Sequence, residues 1–452
     1  MAEFNFGYNG SENFAKGHRY GFFPSVAIGW VITEEPFMLP IKDYVNKLKM
    51  RASYGQTGNA TLDGRRFAYL STITDDWNTL KEYRWGEETT YNRNGMAEGE
   101  FAVADLTWEK VNKANLGFEL GLFKGAIDLQ VDVFDERRNN IFMERESIPA
   151  TAGFIKMPWQ NYGKVKNQGA EISLKVNKEF ANGLFLSAIG TFTYAHNTIV
   201  EMDEAASVVG TNRAKTGHPV NQLFGYLDDG LYTYEDFIDV ENGILRPDLP
   251  EVTLVSKVRP GDIKYKDIGG IDGKPDGKID VYDKTAIGGT VDPELVYGFG
   301  FNLSYKGLDC GVLFSGVGKT WNILSGNVIP VSNKGVYYNV FTNYQDRWTV
   351  DNPSQDVFYP RLDYGTNANN NQASTWWLKD MSFLRLKNVE LGYSLPRKIT
   401  DKVRLSGMRV YLRGTNLLTF SSFKLWDPEL KSTTGAAYPA MKSASVGLEF
   451  KF

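Results

Sequence analysis

Segment after segment of this chain alternates apolar and polar residues with a period of two. In KLKMRASY (47–54), Leu48, Met50, Ala52 and Tyr54 oppose Lys47, Lys49, Arg51 and Ser53. In AIDLQVDVF (126–134), Ile127, Leu129, Val131 and Val133 oppose Asp128, Gln130 and Asp132. In YGFGFNLSY (297–305), five large apolar residues oppose Gly298, Gly300, Asn302 and Ser304. A period of two is the repeat of a β-strand with unlike faces. A soluble antiparallel sheet shows it too, with its apolar face on a core. Here the polar faces carry charge or glycine, and several segments reach the ~9–11 residues that a membrane-crossing strand needs. Tyr54, Phe134, Tyr194, Tyr305 and Tyr393 stand at strand ends, as the aromatic girdles of a membrane barrel would.

Turn lengths point the same way. The chain reverses within Phe123–Gly125, again within Ala181–Gly183, and on Lys306–Gly307, where glycine supplies the positive φ of tight hairpins. Between these hairpins lie the long polar stretches 55–100, 135–165, 195–292 and 315–380. Short turns alternating with long loops predict a barrel with one short-turn rim and one long-loop rim. The expected strand count is roughly 12–16. The last residues, SASVGLEFKF, alternate to the final Phe452, as a strand closing a barrel would.

Composition narrows the function classes. Fifty Lys and Arg against 54 Asp and Glu give a net charge of −4, which lacks the basic footprint of a nucleic-acid binder. Cys310 stands alone, so neither a disulfide framework nor a cysteine zinc cluster is available. No run of 18 apolar residues marks a transmembrane helix. No G-x-S-x-G or H-E-x-x-H motif is present, and GVGKT (316–320) lacks the leading glycine of a phosphate loop. Carboxylate groups such as Glu201–Asp203–Glu204 are expected by chance among so many acids and identify no glycosidase.

Longer motifs carry a family resemblance. WLKDMSFLRLKNVELGYSLP (377–396), MRVYLRGTNLLTFSSFKLWDPE (408–429) and YPAMKSASVGLEFKF (438–452) resemble the C-terminal barrel of SusC/RagA-type TonB-dependent transporters. So do YNGSENFAKGHRYGFFPSVAIGWVITEEPF (8–37) and LTWEKVNKANLGFELGLF (106–123). The resemblance covers essentially all of 1–452 and implies an all-β fold, a transmembrane antiparallel β-barrel with long extracellular loops and short periplasmic turns. It implies import of oligosaccharides or peptides across a Bacteroidota-type outer membrane, without bond chemistry. The implied partners are a SusD-like lipoprotein, the TonB complex and outer-membrane lipids. Such transporters carry a plug domain and a TonB box ahead of the barrel. Neither is recognisable here, so the chain is expected to be a C-terminal part whose sheet exposes two unpaired edges. The alternatives are a soluble secreted glycan-binding β-protein and, behind it, a glycoside hydrolase.

Two sets of residues are site candidates. Flat rings in the long loops suit sugar faces: Trp77, Trp85, Trp159, Tyr226, Trp321, Trp348, Trp376 and the adjoining Trp377, with the amide cluster NANNNQ (367–372) for hydroxyls. Packing within the loops is the competing role for each ring. KDIGGIDGKPDGKIDVYDK (266–284) has the spacing of a calcium loop, with Asp272, Asp276, the Lys278 carbonyl, Asp280 and Asp283 at ligand positions 1, 5, 7, 9 and 12. Lys274 at position 3 and the short Asp283 at position 12 depart from that pattern, and Asp267 is an alternative ligand. The competing role is an Asp/Gly-rich turn that caps its own backbone.

Overall fold

The computed structural model describes residues 1–74, 83–85, 91–93, 96–154, 156–325, 342–363 and 367–452. Its main body is one 12-stranded antiparallel sheet in which every strand pairs with its sequence neighbours. The strands are β1 (Ala2–Gly10), β2 (Tyr20–Val31), β3 (Val45–Asn59), β4 (Glu109–Leu122), β5 (Ile127–Glu144) and β6 (Trp159–Glu179). They continue as β7 (Phe185–Glu201), β8 (Leu295–Tyr305), β9 (Leu308–Gly318), β10 (Phe383–Ser394), β11 (Gly407–Ser421) and β12 (Ser443–Lys451). The sheet is open, with β1 and β12 as its two edges.

Register turns the sequence alternation into two surfaces. Across β3 to β7, successive rows on one face read Leu48–Leu120–Leu129–Leu174–Gly190, then Met50–Phe118–Val131–Ile172–Phe192, then Ala52–Leu116–Val133–Ala170–Tyr194. Among the described residues these apolar side chains have no partner layer; Leu116, Val133 and Ile172 are exposed, as are Phe299, Leu391 and Leu412 further round the sheet. The opposite face carries the ions. Arg51 reaches Asp132 at 2.7 Å and Glu119 at 3.3 Å, and Lys47 adds a second contact to Glu119 at 2.6 Å. On β9 to β11, Arg409 bridges Asp309 and Glu390. An apolar face without a core beside a polar face laced with ion pairs is the arrangement of a membrane barrel wall. A soluble sheet would bury the apolar face instead.

The hairpins fall where the turn residues put them. β4 and β5 join through Phe123, Lys124 and Gly125, all at positive φ, and β8 and β9 join through Lys306 and Gly307 with φ 48 and 87. Strand lengths differ from expectation. The stretch 135–165, read as a loop, is mostly strand, because β5 runs to Glu144 and β6 begins at Trp159. Alternation persists there, but with polar residues on both faces, so no apolar stripe marks it. Phe134 also departs from the girdle. It shares the ion-bearing face, with its ring over Gly169, where an added Cβ would sit 2.5 Å from it.

The loops at the far rim fold on themselves. Described residues of 202–294, 319–325, 342–363, 367–382 and 422–442 build a water-excluded cluster that includes Tyr226, Ile263, Leu324, Trp348, Trp377 and Phe423. This cap sits above the wall and is separate from a smaller cluster that joins Phe23 of β2 and Phe142 of β5 to Leu62, Leu106 and Trp108.

Candidate functional site

Two regions bear on function: the ion-bearing face of the wall and the cap above it. Where the strands pass beyond the apolar rows, the ion-bearing face borders a cleft of about 870 Å³. Its wall side presents Glu136, Arg138, Asn167 and Asn197, and its loop side presents Lys215 and Gln222. β5 to β7 position the first four through strand parity alone, since Glu136 faces Asn167 and Asn167 faces Asn197 in register. Their charges are matched on the wall itself, with Lys113 2.9 Å from Glu136 and Glu109 3.1 Å from Arg138. Such a surface offers donors and acceptors of both signs, and no activated nucleophile, to a polar solute. None of these residues stood out in the sequence, because the strand overshoot that exposes them carries no apolar periodicity.

The cap reassigns most of the ring candidates. Tyr226 and Trp348 are 1% and 5% exposed inside the cap core, so neither offers a free ring face. Burial, with Asp283 and Asp280 nearby, pushes the Tyr226 phenol up to about 12, and it stays neutral. Trp377, also buried, donates from Nε1 to the Asn370 carbonyl at 2.7 Å. Trp376 packs against the core and donates to the Phe358 carbonyl. Trp321 lies against Gly288 and Gly289, with its ring filling the space that a Cβ on either would need. Trp159 is covered by the Arg65 guanidinium at 3.8 Å and touches Phe142. Trp77 lies outside the described residues, as does the side chain of Trp85.

The amide cluster is structural as well. Asn370 donates to Asp262 at 3.0 Å and accepts from the Ile263 N–H at 2.9 Å, while Asn369 donates to the Ile263 carbonyl. Asp262 also takes Arg361 at 3.0 Å and Asn367 at 3.0 Å. This buried node ties Asp262 and Ile263 to Arg361, Asn367, Asn369 and Asn370. The acidic trio is likewise dispersed into separate anchors. Glu201 pairs with Lys164, Asp203 with Arg145 and Ser147, and Glu204 with the Thr216 hydroxyl and the Lys215 N–H. Burial pushes the Asp203 carboxyl up, but Arg145 and the Ser147 donors outweigh it and hold it below the ordinary value. GVGKT runs along β9, and its Thr320 hydroxyl bonds the Val291 carbonyl.

The 266–284 loop uses its carboxylates on its own backbone. Asp283 is fully buried and accepts from the N–H groups of Ile268 (2.8 Å), Gly269 (3.1 Å) and Asp280 (2.8 Å). Asp280 caps Tyr282, Asp276 accepts from the Lys278 N–H, and Asp267 accepts from Asp276 and Gly277. Asp272 is exposed. Among the described residues, no three His, Cys, Asp or Glu side chains are grouped to hold a metal ion. A hard cation needs ~6–8 converging oxygens, whereas here the Asp267, Asp276, Asp280 and Asp283 oxygens are spread over separate backbone amides. Burial pushes the Asp283 carboxyl up despite its three amide donors, and nearby Asp267 adds to the effect.

Comparison with known proteins agrees with the wall geometry. Residues 3–417 match the family model described as TonB dependent receptor-like, beta-barrel. TonB-dependent receptor P26 of Formosa agariphila is 29% identical over 98% of this chain and 44% of that protein. TonB-dependent receptor SusC of Bacteroides thetaiotaomicron is 26% identical over 99% of this chain and 42% of that protein. The chain thus spans less than half the length of the curated relatives it matches. Among solved structures, the RagAB peptide transporter superposes with a TM-score of 0.73 at 23% identity, covering all of this chain and 46% of that one. At that identity the likeness shows the fold alone.

Proposed function

The chain belongs to the family of TonB-dependent receptor-like β-barrels of the outer membrane, and from that premise we propose that it is the C-terminal wall and cap of a nutrient importer. The imported class is oligosaccharides or peptides, captured at the long-loop rim together with a SusD-like lipoprotein and moved at the expense of the TonB complex. The observation that carries this reading is the two-faced sheet: apolar rows outside, ion-paired rows inside, and the five longest connections on one rim. No step of the proposed function breaks a bond; selectivity lies in binding and gated passage.

Of the two substrate classes, the cleft lining supports peptides. The described loop rings are largely spent on packing, whereas Lys215 and the amides of Asn167, Asn197 and Gln222 offer donors and acceptors to a peptide backbone. Deleting the gene and following uptake of labelled peptides and labelled oligosaccharides tests both parts. Loss of peptide uptake alone supports the full reading. Loss of oligosaccharide uptake alone reverses the substrate class, and loss of neither sinks the importer. The size of the native polypeptide in outer-membrane fractions, read with an antibody to 377–429, tests the span. A band at roughly twice this chain's mass is expected, given that barrels of the family have about 22 strands.

A further inference from the structure

The outward face does not end where its apolar rows end. Above Ala52–Leu116–Val133–Ala170–Tyr194, the register continues on that face through Tyr54–Ala114–Asp135–Gln168–His196. The next row is Gln56–Asn112–Arg137–Lys166–Thr198. Each row advances about 7 Å along the strands, so hydrocarbon gives way to charge within the depth of one lipid headgroup. Arg137, 65% exposed, lies 3.0 Å from Asp135, and Lys166 lies 3.8 Å from the same carboxylate. One carboxylate is shared by two cations, and Lys110 stands one row further up on this face. Further round, Glu294 takes both His196 and Lys319. At the same height on the ion-bearing face, each cation has its own carboxylate: Lys113 with Glu136, Arg138 with Glu109, and Lys164 with Glu201. At this height, among the described residues, the shared carboxylate lies on the outside. Below it, a groove of about 700 Å³ runs over Ala52, Ala114 and Ala170, walled by Leu116, Val133 and Tyr194.

We propose that this part of the outer wall seats one phosphate-bearing lipid of the outer leaflet. Its phosphate lies on Arg137 and Lys166, and an acyl chain lies in the alanine-floored groove. Among the described residues, Arg137 and Lys166 share one carboxylate, a complement suited to a phosphate, and the apolar rows below hold the chain. The inference rests on the wall being a membrane barrel; the experiment separates the two.

The test is native mass spectrometry of the full-length polypeptide purified from outer membranes, titrated with dipalmitoyl phosphatidic acid and, separately, with dipalmitoyl glycerol. Phosphatidic acid is expected to form a stable one-to-one adduct, and the R137Q/K166Q pair to weaken it about tenfold, since two charge-assisted contacts are lost. K274Q, which removes an exposed loop lysine, is expected to bind like the parent. Parent-like binding by R137Q/K166Q overturns the proposal, and so does equal binding of the uncharged diglyceride. If that pair loses its heat-modifiable folded form, D135N provides the opposite sign. Freeing both cations is expected to tighten phosphatidic acid, and unchanged binding overturns the site. A polypeptide that stays folded and monomeric without detergent would instead overturn the barrel itself.

Discussion

The wall and the cap are made by the same chain under opposite rules. In the wall, large apolar side chains such as Leu116, Val133 and Leu412 face outward without a protein partner, and ion pairs such as Arg51–Asp132 occupy the other face. In the cap, Tyr226, Trp348 and Trp377 are buried as in a water-soluble domain, and the charged node around Asp262 is sealed among amides. The wall is held by its backbone ladders and needs lipid on one side. The cap is held by apolar burial and side-chain hydrogen bonds, and needs water outside. Damage to one should therefore leave the other standing.

Replacing Trp377 with alanine is the strongest way to break that separation. Loss of a fully buried ring, with its bond to Asn370, should cost the cap about 3–5 kcal/mol. Proteolysis within 226–279 and 342–377 should accelerate, while heat-modifiable migration of the barrel stays unchanged. A simultaneous loss of barrel migration would show that wall and cap fold as one. Within the wall, neighbouring positions sharpen the contrast between faces. Ile172→Arg places a charge among apolar rows and should cost about 2–4 kcal/mol, whereas Ser173→Arg on the ion-bearing face should stay within about 0.5. Denaturant titration in lipid vesicles reads the difference, and equal costs would refute the assignment of faces.

A smaller effect concerns the anchor between wall and cap at Asp203. Its carboxyl sits below its ordinary value, so its contribution to stability is complete above about pH 4 and is lost as pH falls through the lowered value. Exchange of the Ser147 amide, which donates to Asp203, should rise only in strong acid, and D203N should remove that dependence. The smallest effect is the one expected from calcium. Because the 267–283 carboxylates already serve backbone amides, adding calcium or EGTA should shift the cap's Tm by less than about 1 °C. A shift of several degrees would identify the loop as a calcium site.

Much of the wall was readable from residues alone. Alternation assigned Leu48, Met50 and Ala52 to one face and Lys49 and Arg51 to the other, and Lys306–Gly307 marked a two-residue hairpin. The reading faltered where that signal faded, at the overshoot of β5 and β6, whose two faces are both polar. It also misplaced Phe134, because an aromatic at a strand end satisfies a girdle and a cross-strand glycine contact equally well. The cap was illegible for another reason. Tyr226 shares a core with Trp348 and Trp377, each more than 100 residues away from it, and a loop tryptophan looks the same in sequence whether it stacks on a ligand or fills a core.

What the chain's own order of residues determined is local: the period of two, the positive-φ turns and the sign of each strand face, all imposed by sterics within a few residues. What only the tertiary structure decided is which loop side chains meet. That choice set Asp262 against Asn370 and Arg361, closed Trp377 into a core, paired Lys113 with Glu136 and Arg138 with Glu109 on the lumenal face, and left Arg137 and Lys166 sharing a single carboxylate. Contacts between distant segments follow from register and chain path, and neither is encoded in any short stretch of sequence.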